Sequence, residues 1–293
     1  MDAIYSRRNK MALRIYNNLF SSSAQRHLGN NHQGLSTSLE RLSSGLRINR
    51  SADDAAGLAI SEGLRGDIRS LGQAVRNGND GIGMINTAEG AMSEQGAILI
   101  RMRELASQSA TGTVGSAARV SIEREFTSLR REIDRISAVT EFNGTKLLDG
   151  TLSSAPGNSI VIQIGITSDI NNRFNLNNEI DLTAMTSTAL GIDTLTASTV
   201  SGALSALDNI SSALQTLNDG RGRLGAVQNR LVHTLSSLAI TRENLSAAES
   251  QIRDADYAAE ISEFTRNQIL VQASTAILAQ ANLVPQTVLQ LLG

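Results

Sequence analysis

The sequence predicts a mainly α protein: an elongated antiparallel bundle of long helices in coiled-coil register, with a small β-hairpin region and paired terminal helices. Three observations predict it. Ile210, Leu217, Leu224, Leu231, Leu238, Leu245 and Ile252 stand seven apart without a break. A seven-residue apolar repeat sustained this long keeps one seam of a helix turned toward a partner helix. Only Pro156 and Pro285 occur in 293 residues, so almost no position forbids a helix. Between residues 160 and 182 the apolar period changes from helical to two, which marks a β segment inside a helical chain.

The totals bound what the helices can do. A chain of 293 residues suffices for two ordinary domains or one elongated body, with a real core. Its formal net charge of −2 offers no electrostatic reason to bind nucleic acid or an anionic membrane. Aromatics are 3% and Trp is absent, so the core must be aliphatic. Without Cys there is neither a disulfide framework nor thiol chemistry. No segment has the layout of a cleaved signal peptide. The protein is therefore expected in the cytosol, or exported by a route that reads no such peptide.

Taken in order, Met1–Lys10 fits none of the later patterns and reads as an extension. Leu28, Leu35, Leu39, Leu42 and Leu46 then predict an amphipathic helix, weakened by Gly29, Gly34 and Gly45. From Asp54 the pattern strengthens: Leu64, Leu71, Ile85, Met92 and Leu99 lie on a long seam that ends near Gly112 and Gly115. Ile122, Phe126, Leu129, Ile133 and Ile136 predict a third helix. Its Glu123, Arg124, Arg130, Arg131 and Glu132 read as a solvated face. Asn143-Gly144 and Asp149-Gly150 are turn signals. Two strands are expected next, one with Ile160, Ile162, Ile164 and Ile166, the other with Phe174, Leu176, Ile180 and Leu182, joined across Thr167–Arg173. A Thr/Ser/Ala-rich connection from Thr183 to Ser201 leads into the seam helix, which folds back antiparallel on the first seam and brings both termini to one end.

The tail differs from everything before it. No charged residue follows Arg266. Tyr257, Phe264, Val271 and Leu278 stand seven apart, while Gln268, Gln272, Thr275, Asn282, Gln286 and Gln290 form a neutral polar stripe. Polar side chains at every turn and an interruption at Pro285 argue against a transmembrane span. The better account is an amphipathic helix that stays disordered or chaperoned until an assembly covers it.

Catalytic patterns are missing. His27, His32 and His233 are scattered, and neither HExxH, GxSxG nor a Walker loop occurs. Asp53 and Asp54 open a helix, where carboxylates complement the dipole. Asn143-Gly144-Thr145 and Asn244-Leu245-Ser246 match the glycosylation triplet, a short pattern, and Asn244 falls within the seam helix. No enzyme activity, metal or cofactor is expected.

Several stretches are specific in a different way. SLERLSSGLRINRSADDAAGLAIS, AVRNGNDGIGMINTAEGAM, RMRELASQSATGT, EIDRI and EFNGTKLLDG stand in the first half. RLGAVQNRL, ENLSAAESQIRDADYAAEIS and LAQANLVPQTVLQLL stand near the end. Together they resemble the bacterial flagellin family, the filament proteins of the flagellum. The likeness covers Met11 to about Gly150 and Leu204 to the C-terminus, and is weaker in the β patch.

The resemblance implies an inner domain from residues 11–53 and 254–293, assembled through Leu35, Leu39, Leu42, Leu46, Tyr257, Phe264, Val271 and Leu278. It implies a surrounding rod domain from 54–150, the β region 151–195 and 196–253, closed by the heptad seams. The short linker around Gly191–Ser201 marks a minimal form that lacks large variable outer domains, and Met1–Lys10 departs from the family's beginning near Met11. Further implications are a homopolymer in the extracellular filament and unfolded export through the flagellar type III apparatus. The partners implied are an export chaperone on the C-terminal helix, cap and hook-junction proteins, and a flagellin-sensing Toll-like receptor. For that receptor the matching positions are Arg101, Leu105, Gln108 and Glu125, which read equally as packing between subunits. Two rivals remain: a hook–filament junction protein, and a cytoplasmic coiled-coil scaffold, which leaves the uncharged tail unexplained.

Overall fold

The computed structural model describes residues 18–155 and 159–292, with side chains described as far as residue 283. The extension Met1–Lys10 and the side chains of Gln286 and Gln290 lie outside the described residues. The elements are α1 (Leu19–Ser44), α2 (Ala55–Ala110), α3 (Ser116–Val139), β1 (Glu141–Phe142), β2 (Thr145–Lys146), β3 (Val161–Gln163), β4 (Arg173–Asn175), α4 (Leu176–Ile180), α5 (Val200–Arg253) and α6 (Tyr257–Leu292). They form two compact units, one of residues up to Arg65 together with those from Ala247, the other Gly66–Ser246.

In the second unit α2 and α5 run antiparallel, as expected. Gly78 meets Leu235, Gly81 meets Leu231 and Gly96 meets Leu217, so numbers fall along one helix as they rise along the other. A Cβ on Gly78 would collide with Leu235, and the missing side chain lets the two helices approach closely. α3 lies along α2, joined through the buried Gln95, whose Nε2 donates to the carbonyls of Ile133 at 3.2 Å and Met185 at 2.9 Å. The core is aliphatic around few aromatics: Met92, Leu99, Met102, Ile133, Leu217 and Leu224 share one buried cluster with Phe126 and Phe174. Each fully buried side chain of this kind contributes on the order of 1.5–3 kcal/mol.

Two hairpins close one side of this unit. β1 pairs with β2 across Asn143 (φ 48°) and Gly144 (φ 79°), the doubly positive geometry of a two-residue hairpin turn. β3 pairs antiparallel with β4, Ile162 opposite Phe174. The expected second strand stops early, because the Asn175 side chain accepts from the amides of Asn177 and Asn178 and caps a helix there. Leu176 and Ile180, spaced by four, then bury one face of α4 rather than alternate along a strand.

The connection before α5 differs most from its expected form. It is a pinned strap. Leu182 N donates to Leu152 O at 3.0 Å and Met185 N to Leu148 O at 2.8 Å. Asp134 accepts from both the amide and the hydroxyl of Ser187 at 2.8 Å. Glu123 accepts from Ala197 N and from Thr196 Oγ1, and Arg130 donates to the carbonyls of Asp193 and Leu195. Glu123 and Arg130 therefore do not belong to a solvated face. A strap without a strand ladder still needs partners for its backbone polar groups, and α3 supplies them.

In the first unit α1 and α6 run antiparallel, from Asn18 Nδ2 on Ala281 O (2.9 Å) to Arg41 beside Glu260 (3.6 Å). α1 ends at Gly45, whose φ of 74° closes a left-handed cap with its N–H on Arg41 O. Leu46, expected on the helix, lies beyond this cap and bridges Asp254. α6 runs through Pro285 to Leu292 instead of breaking there. Within the described residues both terminal segments are helical, and each packs against the other.

Candidate assembly surfaces

Most of the seam predicted from sevenfold spacing lies in the second unit, with Leu64 and Ile252 in the first. Ile210, Leu217, Leu224 and Leu231 are buried, as are Leu71, Ile85, Met92 and Leu99. Leu238, Leu245, Ile252 and Leu64 are half-buried. The column therefore keeps its spacing along α5 while its cover thins toward the C-terminal end.

The α1–α6 pair obeys a different rule. Leu35, Leu42, Leu46, Phe264, Val271 and Leu278 are half-buried, whereas Leu39 and Tyr257 are exposed. The buried positions between these helices are small: Ala24, Ser38, Ser274 and Ala281. Asn31 Nδ2 donates to Ser274 Oγ at 2.8 Å, and Gly34 sits against Asn267. Ala24, Asn31 and Ser38 stand seven apart, and so do Asn267, Ser274 and Ala281. Other large apolar residues of α6 face away, with Ile269 and Ile277 each 60% exposed and Ile261, Leu270 and Leu283 exposed beside them. The large residues alone do not mark the fully buried positions of this seam. The signal that finds it is a sevenfold column of small and polar side chains.

Between α1 and α2 the chain is fixed by Asp53, whose Oδ2 accepts from the amides of Asn49 (3.1 Å) and Arg50 (3.0 Å). Those two hydrogen bonds, Arg50's the larger, hold its carboxyl below the ordinary value of 3.8. Asp54 caps α2 by accepting from Gly57 N at 2.8 Å. Ile48 is buried beneath this loop.

Of the four positions matched to receptor recognition, three are exposed and close together on α2 and α3. Arg101 bonds Glu125 at 2.9 Å and Glu104 at 2.9 Å, with Gln108 two turns further on. Leu105 is 2% exposed and belongs to the core between them. Its side chain underlies that surface and is not part of it.

Among the described residues no helix is long and apolar enough to cross a membrane. Nor does any group of three His, Cys, Asp or Glu stand where it can hold a metal ion.

Comparison with known proteins identifies the family. Residues 15–153 match the bacterial flagellin N-terminal helical region, and residues 207–292 match the C-terminal helical region. The chain is 49% identical to a flagellin of Halalkalibacterium halodurans, over 95% of this chain and 99% of that one. It is 43% identical to a flagellin of Bacillus subtilis, over 96% of this chain and all of that one. The flagellar filament 33 kDa core protein of Treponema phagedenis is 41% identical over 95% of this chain. With both terminal regions matched and the relatives aligned almost end to end, the chain belongs to the bacterial flagellin family.

Proposed function

We propose that this flagellin builds the flagellar filament by polymerising through the apolar face of its terminal helix pair. One observation carries the reading: the fully buried residues between α1 and α6 are small, while Ile261, Ile269, Ile277 and Leu283 of α6 are exposed. Large apolar side chains exposed at successive turns of a helix are an aggregation hazard on a lone molecule and suit an interface in an assembly. Copies of one chain that join by unlike surfaces repeat without closing, so the polymer grows open-ended.

On this reading residues 11–53 with 254–293 form the inner domain of the filament, and residues 54–253 form the rod domain around it. The same outward face is what an export chaperone would cover before assembly, since the chain is exported unfolded through the flagellar type III apparatus. Cap and hook-junction proteins meet the growing end. Receptor detection, where it occurs, uses Arg101, Gln108 and Glu125 at the surface, with Leu105 supporting them from the core.

The test keeps the full chain. Replacing Ile261, Ile269 and Ile277 together by Ser leaves helix content unchanged by circular dichroism, because all three are exposed. Growth on short filament seeds, followed by electron microscopy, is then abolished. Filaments of normal length from the triple variant would remove the reading.

A further inference from the structure

One stretch of the α2–α5 seam carries positive charge that no carboxylate answers. Gly72 extends the antiparallel register of Gly78, Gly81 and Gly96, and the α5 side chain it meets is Arg242. Arg242 Nη1 and Arg76 Nη1 each lie 4.0 Å from the point that a Cβ on Gly72 would occupy. The two guanidinium nitrogens are therefore at most twice that distance apart, reaching from opposite helices over a residue without a side chain. Arg69, three residues before Gly72 and seven before Arg76, stands on the same face of α2.

All three arginines are exposed. Asp67, Asp80 and Glu243 are near them in the chain, yet none forms an ion pair with them among the described residues. Like charges set this close repel, and an anion between them turns the repulsion into attraction.

Arg76 is held in place by neutral groups. Its Nε and Nη2 donate to Gln73 Oε1 at 3.0 and 2.6 Å. Gln73 Nε2 donates in turn to Asn77 Oδ1 at 2.8 Å, and Asn77 Nδ2 donates to Gln163 O at 3.1 Å. One edge of the guanidinium is thus fixed, and Nη1 is left toward Gly72. Arg101 and Arg230 differ, because Glu104, Glu125 and Glu179 already neutralise them. A guanidinium oriented by amides keeps its charge for a ligand.

The seam is also less covered here. Leu238 and Leu245 are half-buried, whereas Leu217 and Leu224 are buried. A ligand that joins α2 to α5 at Gly72 adds a tie where apolar cover is thin.

We propose that Arg76 and Arg242 bind a tetrahedral oxyanion of the phosphate class between them, with Arg69 adding charge at the rim. Two oxygens of one phosphate accept from the two Nη1 groups, and the anion lies over Gly72, where no side chain blocks it. The same chemistry is offered by the free ion and by a phosphate group on a larger molecule. The site is separate from the apolar residues of α6 and does not depend on the filament reading.

The test uses the full chain without seeds. Inorganic phosphate is titrated at constant ionic strength set with chloride, and binding is followed by phosphorus NMR and by thermal unfolding. Saturation at roughly 1–10 mM is expected for an exposed pair of cations, with the melting temperature rising as the site fills. Arg76→Gln and Arg242→Gln each weaken binding about 3- to 10-fold, and the double variant loses it. Arg124→Gln/Arg131→Gln, which removes two exposed, unpaired arginines of α3, leaves binding unchanged. An equal loss from the α3 pair, or an equal response to chloride, reduces the effect to general screening and overturns the site. Thermal unfolding adds a change of sign. Without phosphate Arg242→Gln melts at or above the unaltered chain, because a repulsion is gone, and in saturating phosphate it melts below it. A variant that melts lower by the same amount in both buffers overturns the proposal. Glycerol 3-phosphate separates the sources: tighter binding than inorganic phosphate assigns a larger molecule, equal or weaker binding the free ion, and either result supports the site.

Discussion

The two units of this flagellin use one sequence period with opposite contents. Along α5 the sevenfold column puts Ile210, Leu217, Leu224 and Leu231 inside, against α2. Between α1 and α6 the sevenfold columns that meet are Ala24, Asn31, Ser38 and Asn267, Ser274, Ala281, while Ile261, Ile269 and Ile277 of α6 turn outward. A period thus locates a helix contact, while the size of the residues in it decides where burial is left to find. Large residues in the seam make a unit that completes itself. Small residues in the seam bring two helices together and leave the isoleucines of α6 exposed.

The largest expected effect tests the self-completing side. Leu217→Ala removes a buried side chain packed at Gly96 and should lower unfolding stability by about 2–5 kcal/mol in urea. Ile269→Ala on α6 removes comparable bulk and should change stability by less than about 0.5 kcal/mol while slowing filament growth. Equal losses of stability at the two sites would break the comparison.

An intermediate effect is expected from overfilling the small seam. Ser274→Leu places a large side chain where Asn31 now bonds, at a cost of about 1–3 kcal/mol, and should push α1 away from α6. Limited proteolysis reads the outcome as early cleavage in both helices. Unchanged protection would show that the pair is not held through this column.

The smallest effect is a pH dependence at the loop between α1 and α2. Amide hydrogen bonds, from Arg50 first and Asn49 second, lower the Asp53 carboxyl from its ordinary value of 3.8. A group whose folded value is lowered stabilises the fold above the unfolded value and loses that contribution as pH falls through the folded one. Acidification below 3.8 should therefore loosen this loop, and Asp53→Asn should flatten the response. A carboxyl titration by NMR that places Asp53 at or above 3.8 removes the assignment.

Much of the fold was legible because its signals are local. Two prolines in 293 residues, unbroken sevenfold spacing and Asn143-Gly144 each act within a turn or two of chain. They determined long antiparallel helices, a two-residue hairpin and an aliphatic core. The stretch from Phe174 to Leu182 was ambiguous for an equally local reason. Its apolar residues suit a strand as well as a short helix, and the cap from Asn175 decided between them.

The candidate surfaces were legible only in part. Sevenfold spacing identified the tail as amphipathic, but it did not say which face meets α1. The charges on α3 show the same limit more sharply. Glu123, Arg130 and Asp134 look like any exposed helix face until the strap 181–199 is laid against them, with partners more than fifty positions away in the chain. By itself the sequence determined where this protein is helical, how its long helices pair and to which family it belongs. Only the tertiary structure decided that the strap is pinned, that Leu105 is core and that α6 turns its isoleucines outward. Periodicity is a property of neighbouring residues, whereas each of those outcomes depends on which distant groups arrive to be buried or bonded.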